Sequence, residues 1–204
     1  MVLGARAYAE DKVGYEILVD VEASKLWLIH DGKVEREYAC AGGKASTPSP
    51  IGTWKIISKA KWGEGFGGSW MGINVPWGNF GIHGTTQAYS VGWNSSHGCI
   101  RMENAEVAEL YKIVPIGTKV TIVDGVYGDF GRGFRYLQSG MYGSDVRQIQ
   151  RKLKELGFYQ GATNGKFEAS LEEAVKKYCK ANGLYERKTI SPDLQKHMGF
   201  ELVD

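Results

Sequence analysis

At 204 residues the chain is about 1.4 times a typical domain of roughly 150 residues, so it holds one large domain or two modest ones. Apolar residues at 43% and charged residues at 24% exclude a disordered, collagenous or repeat-built chain. The net charge of +2, without a long Lys or Arg run, gives no ground for a nucleic-acid partner, and no run approaches 18 consecutive apolar residues, which argues against membrane insertion by a helix.

Gly, at 28 residues, is about twice its usual share of roughly 7%, and Pro is scarce, a pairing that predicts strands joined by tight turns. Residues 1–14 form an N-terminal segment in which Arg6-Ala7-Tyr8-Ala9-Glu10 has the small-x-small look of a signal-peptidase site. The charged and apolar parts of a leader do not precede it, so a trimmed leader and chance both stay open.

The next third reads as strands. Ile17 to Val21 and Leu26 to Ile29 are β-branched and aromatic-rich, and Asp31-Gly32 is placed to turn the chain back through Val34 to Tyr38. Ser46 to Gly52 is a rigid turn, followed by a strand from Thr53 to Ile57, and the Gly- and aromatic-rich stretch from Trp62 to Gly84 predicts short strands and loops. Asn104 is placed to cap a helix with Val107, Leu110, Tyr111 and Val114 on one face, stopped at Pro115-Ile116-Gly117; Thr118 to Val123 alternates as a closing strand.

Gly125, Gly128, Gly131 and Gly133 mark a linker over 125–134. Beyond it the period is helical. Ser144 is a candidate cap for a stripe of Val146, Ile149, Leu153 and Leu156, Ser170-x-x-Glu173 reads as a capping box, and Ser191-Pro192 starts a third, short helix. The expected architecture is a mostly β domain over 15–124 with one main helix, then a small all-α three-helix domain over 135–204.

Chemistry concentrates between His83-Gly84 and Ser95-Ser96-His97-Gly98-Cys99-Ile100-Arg101, where one Cys and two of the four His fall within a Gly-rich segment. A thiol attacks a carbonyl carbon as thiolate, and an imidazolium neighbour lowers its pKa; a drop of about two units is worth roughly 2.7 kcal/mol. Gly98 beside Cys99 would let successive amides converge on an oxyanion. The residues alone do not choose between His83 and His97 as the imidazole. Zinc is the alternative use of Cys and His, but His97-Gly98-Cys99 is too tight for the usual ligand spacing and no CxxC partner exists, so no metal is expected. Cys40 and Cys179 lie on core-like stripes, and His30 and His197 lack chemical neighbours in sequence.

Ser96-His97-Gly98-Cys99-Ile100-Arg101, with His83 sixteen residues before the Cys, Thr47 to Trp54, Gly81-Ile82-His83-Gly84 and Val114 to Val120, closely resembles the L,D-transpeptidase (YkuD-type) catalytic domain over roughly residues 15–124. The resemblance implies a YkuD-like β-sandwich or barrel that acts on peptidoglycan stem peptides and glycan. Cys99 would be the nucleophile, His83 the activating imidazole with His97 in reserve, and His97, Gly98 and Cys99 the source of oxyanion amides. The cysteine would take the acyl group at the L-centre to D-Ala bond of a tetrapeptide and pass it to an amine. No cofactor is needed for this chemistry.

Arg101 is a candidate for a stem carboxylate, Gly84 offers its carbonyl to orient the imidazole, and Ser96 and Trp93 complete the expected substrate contacts, with Trp70 and Trp77 as core or groove residues. Water in place of the amine would give an L,D-carboxypeptidase; a catalytically silent first domain would give a wall-binding protein. The resemblance also implies acylation by carbapenems and an extracytoplasmic location, in the wall or secreted.

Met141 to Val146, Ile149-Gln150, Leu156 to Tyr159 and Asn164-Gly165-Lys166-Phe167 resemble the three-helix peptidoglycan-binding domain appended to cell-wall enzymes. This chain departs from the family's Asp-Gly-x-Phe-Gly pattern at Asn164 and Glu168, and carries Cys179 where relatives place a Gln.

Overall fold

The computed structural model describes residues 14–202, so the N-terminal segment and its small-x-small site lie outside the described residues except for residue 14. Strands β1 (Tyr15–Asp20), β2 (Lys25–His30) and β3 (Lys33–Ala39) form an antiparallel meander. Asp31 and Gly32 both take positive φ, 50° and 71°, the left-handed pair that a two-residue hairpin turn requires. β4 (Gly52–Ala60), β5 (Trp70–Ile73) and β6 (Phe80–Gly84) continue antiparallel, β7 (Ile100–Met102) pairs parallel to β6, and β8 (Lys119–Val123) enters between β1 and β4.

The eight strands make one sheet in the order β3-β2-β1-β8-β4-β5-β6-β7. Its two ends nearly meet: past β3, Ala41 and Arg101 exchange both backbone hydrogen bonds at 2.9 Å, and Gly43 bridges to Ser96. The result is a mostly β near-barrel. Its seam runs through the loop that carries Cys99.

The alternating residues Ile17 and Val19, Leu26 and Leu28, Trp54 and Ile56, and Val120 and Ile122 fill one core. Helix α1 (Asn104–Ile113) lies on it with Val107 and Leu110 fully buried, and Val114 closes the same face. Asn104 is the first helical residue rather than the cap. Its Oδ1 accepts from the Thr85 amide at 2.8 Å, a tertiary use that outcompetes the local one.

The C-terminal part has helices α2 (Ser144–Glu155), α3 (Ala169–Ala181) and α4 (Pro192–His197) around a second core of Val146, Ile149, Leu153, Phe167, Leu171 and Val175. Two of its expected caps differ. Ser144 sits inside the helix and donates to the Ile51 carbonyl of the first domain, and α3 starts at Ala169, before the Ser170 of the proposed capping box, with no side-chain cap. Ser191 does cap α4, accepting from the Leu194 amide at 3.2 Å. Within the Gly-rich stretch after β8, Phe130 packs edge-on against Phe134 and Phe200, each with ring centroids at 5.0 Å.

Candidate active site

Strand register assembles the site. In the parallel β6–β7 pair His83 lies opposite Arg101, so the two share one face of the sheet, and Cys99 immediately precedes β7. They open into one cleft of about 370 Å³, whose wall also includes Phe66, Thr85, Ser96 and His97. Cys99 is half-buried, with its sulfur 4.0 Å from the Asn79 carbonyl oxygen.

The turn that presents the cysteine is held by Ser96, which is 1% exposed. Its hydroxyl donates to the Cys99 carbonyl at 2.6 Å and accepts from the Gly98 amide at 2.9 Å. Its own backbone bonds Gly42 and Lys44 across the seam. The Gly98 amide is therefore engaged inside the turn, while the amides of His97 and Cys99 have no partner among the described residues. Gly98 has φ +111°, and a methyl group there would sit 2.5 Å from the Phe80 ring. Both facts demand glycine.

His83 is buried, and its Nδ1 stands 2.6 Å from the Gly84 carbonyl oxygen. A carbonyl only accepts, so the ring proton sits on Nδ1 and Nε2 keeps its lone pair. Gly84 is hemmed in as well: an added methyl would overlap Asn104 Oδ1 and lie 2.9 Å from Gly67 Cα. An aromatic pile fixes the ring. Trp70 stacks on His83 at 5.7 Å, Phe66 meets it edge-on at 5.0 Å, and Trp62 stacks on the far side of Trp70 at 4.5 Å.

These surroundings set the protonation states. Burial pushes the Cys99 thiol up, against a hydrogen bond with the Gly81 backbone and the Arg101 charge. Burial also pushes the His83 imidazole down, with the Gly84 bond acting the other way and Arg101 adding to the drop. The sequence suggested a thiolate beside an imidazolium. Desolvation penalises both charges, so burial opposes the thiolate and the imidazolium alike.

Of the other expected contacts, Arg101 is half-buried in the cleft and His97 is exposed at its edge. Trp93 is 74% exposed and does not line this cleft; Trp77 is buried and packs edge-on against Trp54. Cys40 and Cys179 are fully buried, His30 stacks on Tyr15, and His197 bonds the Tyr178 hydroxyl at 2.8 Å. Phe66, Trp62 and Asn104 join the site through the fold rather than through any sequence motif. The Gly63 to Gly68 run that folds Phe66 back over His83 was the available signal.

Residues 14–122, just over half of the chain, match the family model described as "L,D-transpeptidase catalytic domain" (YkuD), and residues 142–186 match the "Putative peptidoglycan binding domain" model. The Bacillus subtilis (strain 168) protein named "Putative L,D-transpeptidase YkuD" is 40% identical over 111 residues, 54% of this chain and 66% of its own length. From the same strain, "Putative L,D-transpeptidase YqjB" is 36% identical over 124 residues, 53% of this chain and 70% of its own length. The chain thus spans about two thirds of the length of these two relatives. Among solved structures, the catalytic domain of the E. faecium L,D-transpeptidase superposes with a TM-score of 0.48 at 29% identity, covering 55% of this chain and 98% of that one. With the family model spanning the whole near-barrel and the Cys99 turn at its seam, the chain belongs to the YkuD L,D-transpeptidase family, followed by a peptidoglycan-binding-domain match.

Proposed function

We propose that the chain is a cysteine-dependent L,D-transpeptidase acting on peptidoglycan tetrapeptide stems, with a catalytic domain over 15–124, a linker over 125–134 and a wall-binding helical domain over 135–204. The carrying observation is that Cys99 shares one cleft with a buried His83 whose tautomer the Gly84 carbonyl fixes. His83 Nε2 takes the thiol proton as the sulfur attacks the stem carbonyl, so charge develops only as the bond forms. The free amides of His97 and Cys99 receive the oxyanion, and Ser96 and Gly98 hold the turn that aims them.

Collapse returns the proton from His83 to the leaving D-alanine amine and leaves a thioester on Cys99. An acceptor amine then gives a proton to His83 as it attacks, and the thiol is restored when that proton returns to sulfur. Arg101, inside the cleft, is placed to pair with a stem carboxylate. The site of action is the cell wall.

Intact-mass analysis after carbapenem exposure tests the nucleophile. One adduct on the wild type and none on Cys99→Ala is expected; an adduct on both, or on neither, overturns the assignment. Incubation with a disaccharide tetrapeptide and an amine acceptor tests the reaction: amine-exchanged product is expected, and tripeptide alone would make the chain a carboxypeptidase.

A further inference from the structure

We infer that the C-terminal helical unit is part of the catalytic apparatus, with Tyr142 serving as a positioning residue that holds the Cys99 turn through Phe80. This rests on the transpeptidase reading above.

The helical unit meets the near-barrel through a short ribbon and through the first turn of α2. Gly140 donates to the Phe167 carbonyl and Gly143 to that of Gly165, both at 3.0 Å, while the Phe167 amide returns to Met141 at 2.8 Å. That ribbon lies on the segment from Trp77 to Phe80. A methyl on Gly165 would overlap the Trp77 ring, and Tyr142, partly buried, packs against the first core with its ring edge-on to Phe80 at 6.4 Å and 63°. Two further ties lie alongside. Ser144 Oγ bonds the Ile51 carbonyl, and the Arg147 guanidinium sits 5.7 Å from the Trp54 ring, which itself meets Trp77.

The far side of the same segment touches the nucleophile. Phe80 is the wall against which Gly98 turns, and the Asn79 carbonyl lies 4.0 Å from the Cys99 sulfur. A continuous stack therefore runs from Tyr142 through Phe80 to Gly98, crossing from one domain to the other. Removing the Tyr142 ring opens a void beside Phe80, and a ring that moves into it withdraws support from a turn already held at φ +111°. Amides aimed at an oxyanion tolerate little misplacement, so the effect falls on the acyl-transfer step.

The test uses the full chain with Tyr142→Ala, Tyr142→Leu, which keeps most of the volume, and Tyr142→Phe, which keeps the ring. D-alanine release from a disaccharide tetrapeptide gives kcat and KM. Alkylation of Cys99 by iodoacetamide, followed by mass, reports the thiol in a reaction that displaces iodide from a saturated carbon and builds no oxyanion. For the Ala and Leu variants kcat should fall about tenfold, with KM and the alkylation rate within about twofold of wild type, and Tyr142→Phe should restore kcat. A folded Tyr142→Leu protein with wild-type kcat, or one in which kcat and alkylation fall together, overturns the inference alone. A wild-type chain that alkylates at Cys99 but releases no D-alanine overturns the transpeptidase reading and takes this inference with it.

Discussion

Ser96 accepts the Gly98 amide at 2.9 Å from a position that is itself 1% exposed, so the turn bearing the nucleophile is braced from inside the protein. The same hydroxyl also donates to the Cys99 carbonyl at 2.6 Å.

Ser96→Ala leaves the buried Gly98 amide and the partly buried Cys99 carbonyl unpaired, at a cost of about 1–3 kcal/mol for a buried group. A lower urea midpoint with a greater loss of acyl transfer than of Cys99 alkylation is expected. Wild-type turnover in a folded Ser96→Ala protein would show that the brace is dispensable.

Gly98→Ala forces a side chain into the left-handed region and against Phe80. Strain of about 1–3 kcal/mol is expected, together with loss of measurable D-alanine release, while the far-UV spectrum keeps its native form. Retained turnover would contradict the geometry of the turn.

The two shifted pKa values define a pH window. His83 is depressed in the folded state, so its contribution to stability is present above the ordinary imidazole value of about 6.5 and is lost as pH falls through the folded value. Cys99 is raised, so its contribution is present below the ordinary thiol value and is lost as pH rises through the folded one. The kcat/KM profile should therefore stay flat from mildly acidic to mildly alkaline pH, its acid limb lying below the ordinary imidazole value. An acid limb above that value would require a stabilised imidazolium, which this burial opposes.

Gln150 organises the turn that docks the helical unit. Fully buried, it donates to Asn164 Oδ1 at 3.0 Å and the Lys166 carbonyl at 2.9 Å, and accepts the Gly165 amide at 2.7 Å. Gln150→Ala removes these bonds together with the one to the Tyr159 hydroxyl at 3.3 Å and leaves a cavity, so a loss of about 2–4 kcal/mol in urea denaturation is expected. An unchanged midpoint would mean that the turn holds itself.

Local chemistry made much of this legible. The Asp31-Gly32 turn, the alternating strands and the Val107, Leu110 and Val114 face follow from spacing alone, and the clustering of His83, His97 and Cys99 named the reactive segment. What sequence did not convey depends on distant partners. Asn104 abandons its cap for Thr85, Ser144 for Ile51, and the Gly98 amide is taken by Ser96; each is a competition that only the folded neighbours decide. The pKa directions of Cys99 and His83 follow the same rule: a neighbouring charge is visible in spacing, whereas desolvation is a property of the packed cleft.

The two enclosed sulfurs carry a practical consequence. Cys40 is sealed in the first core with its thiol pushed up to about 12, and Cys179 is sealed in the second, so in the native molecule a polar dye finds only the sulfur at the seam. One fluorophore per chain then counts intact molecules in a preparation, and labelling beyond that ratio signals that one of the two cores has opened.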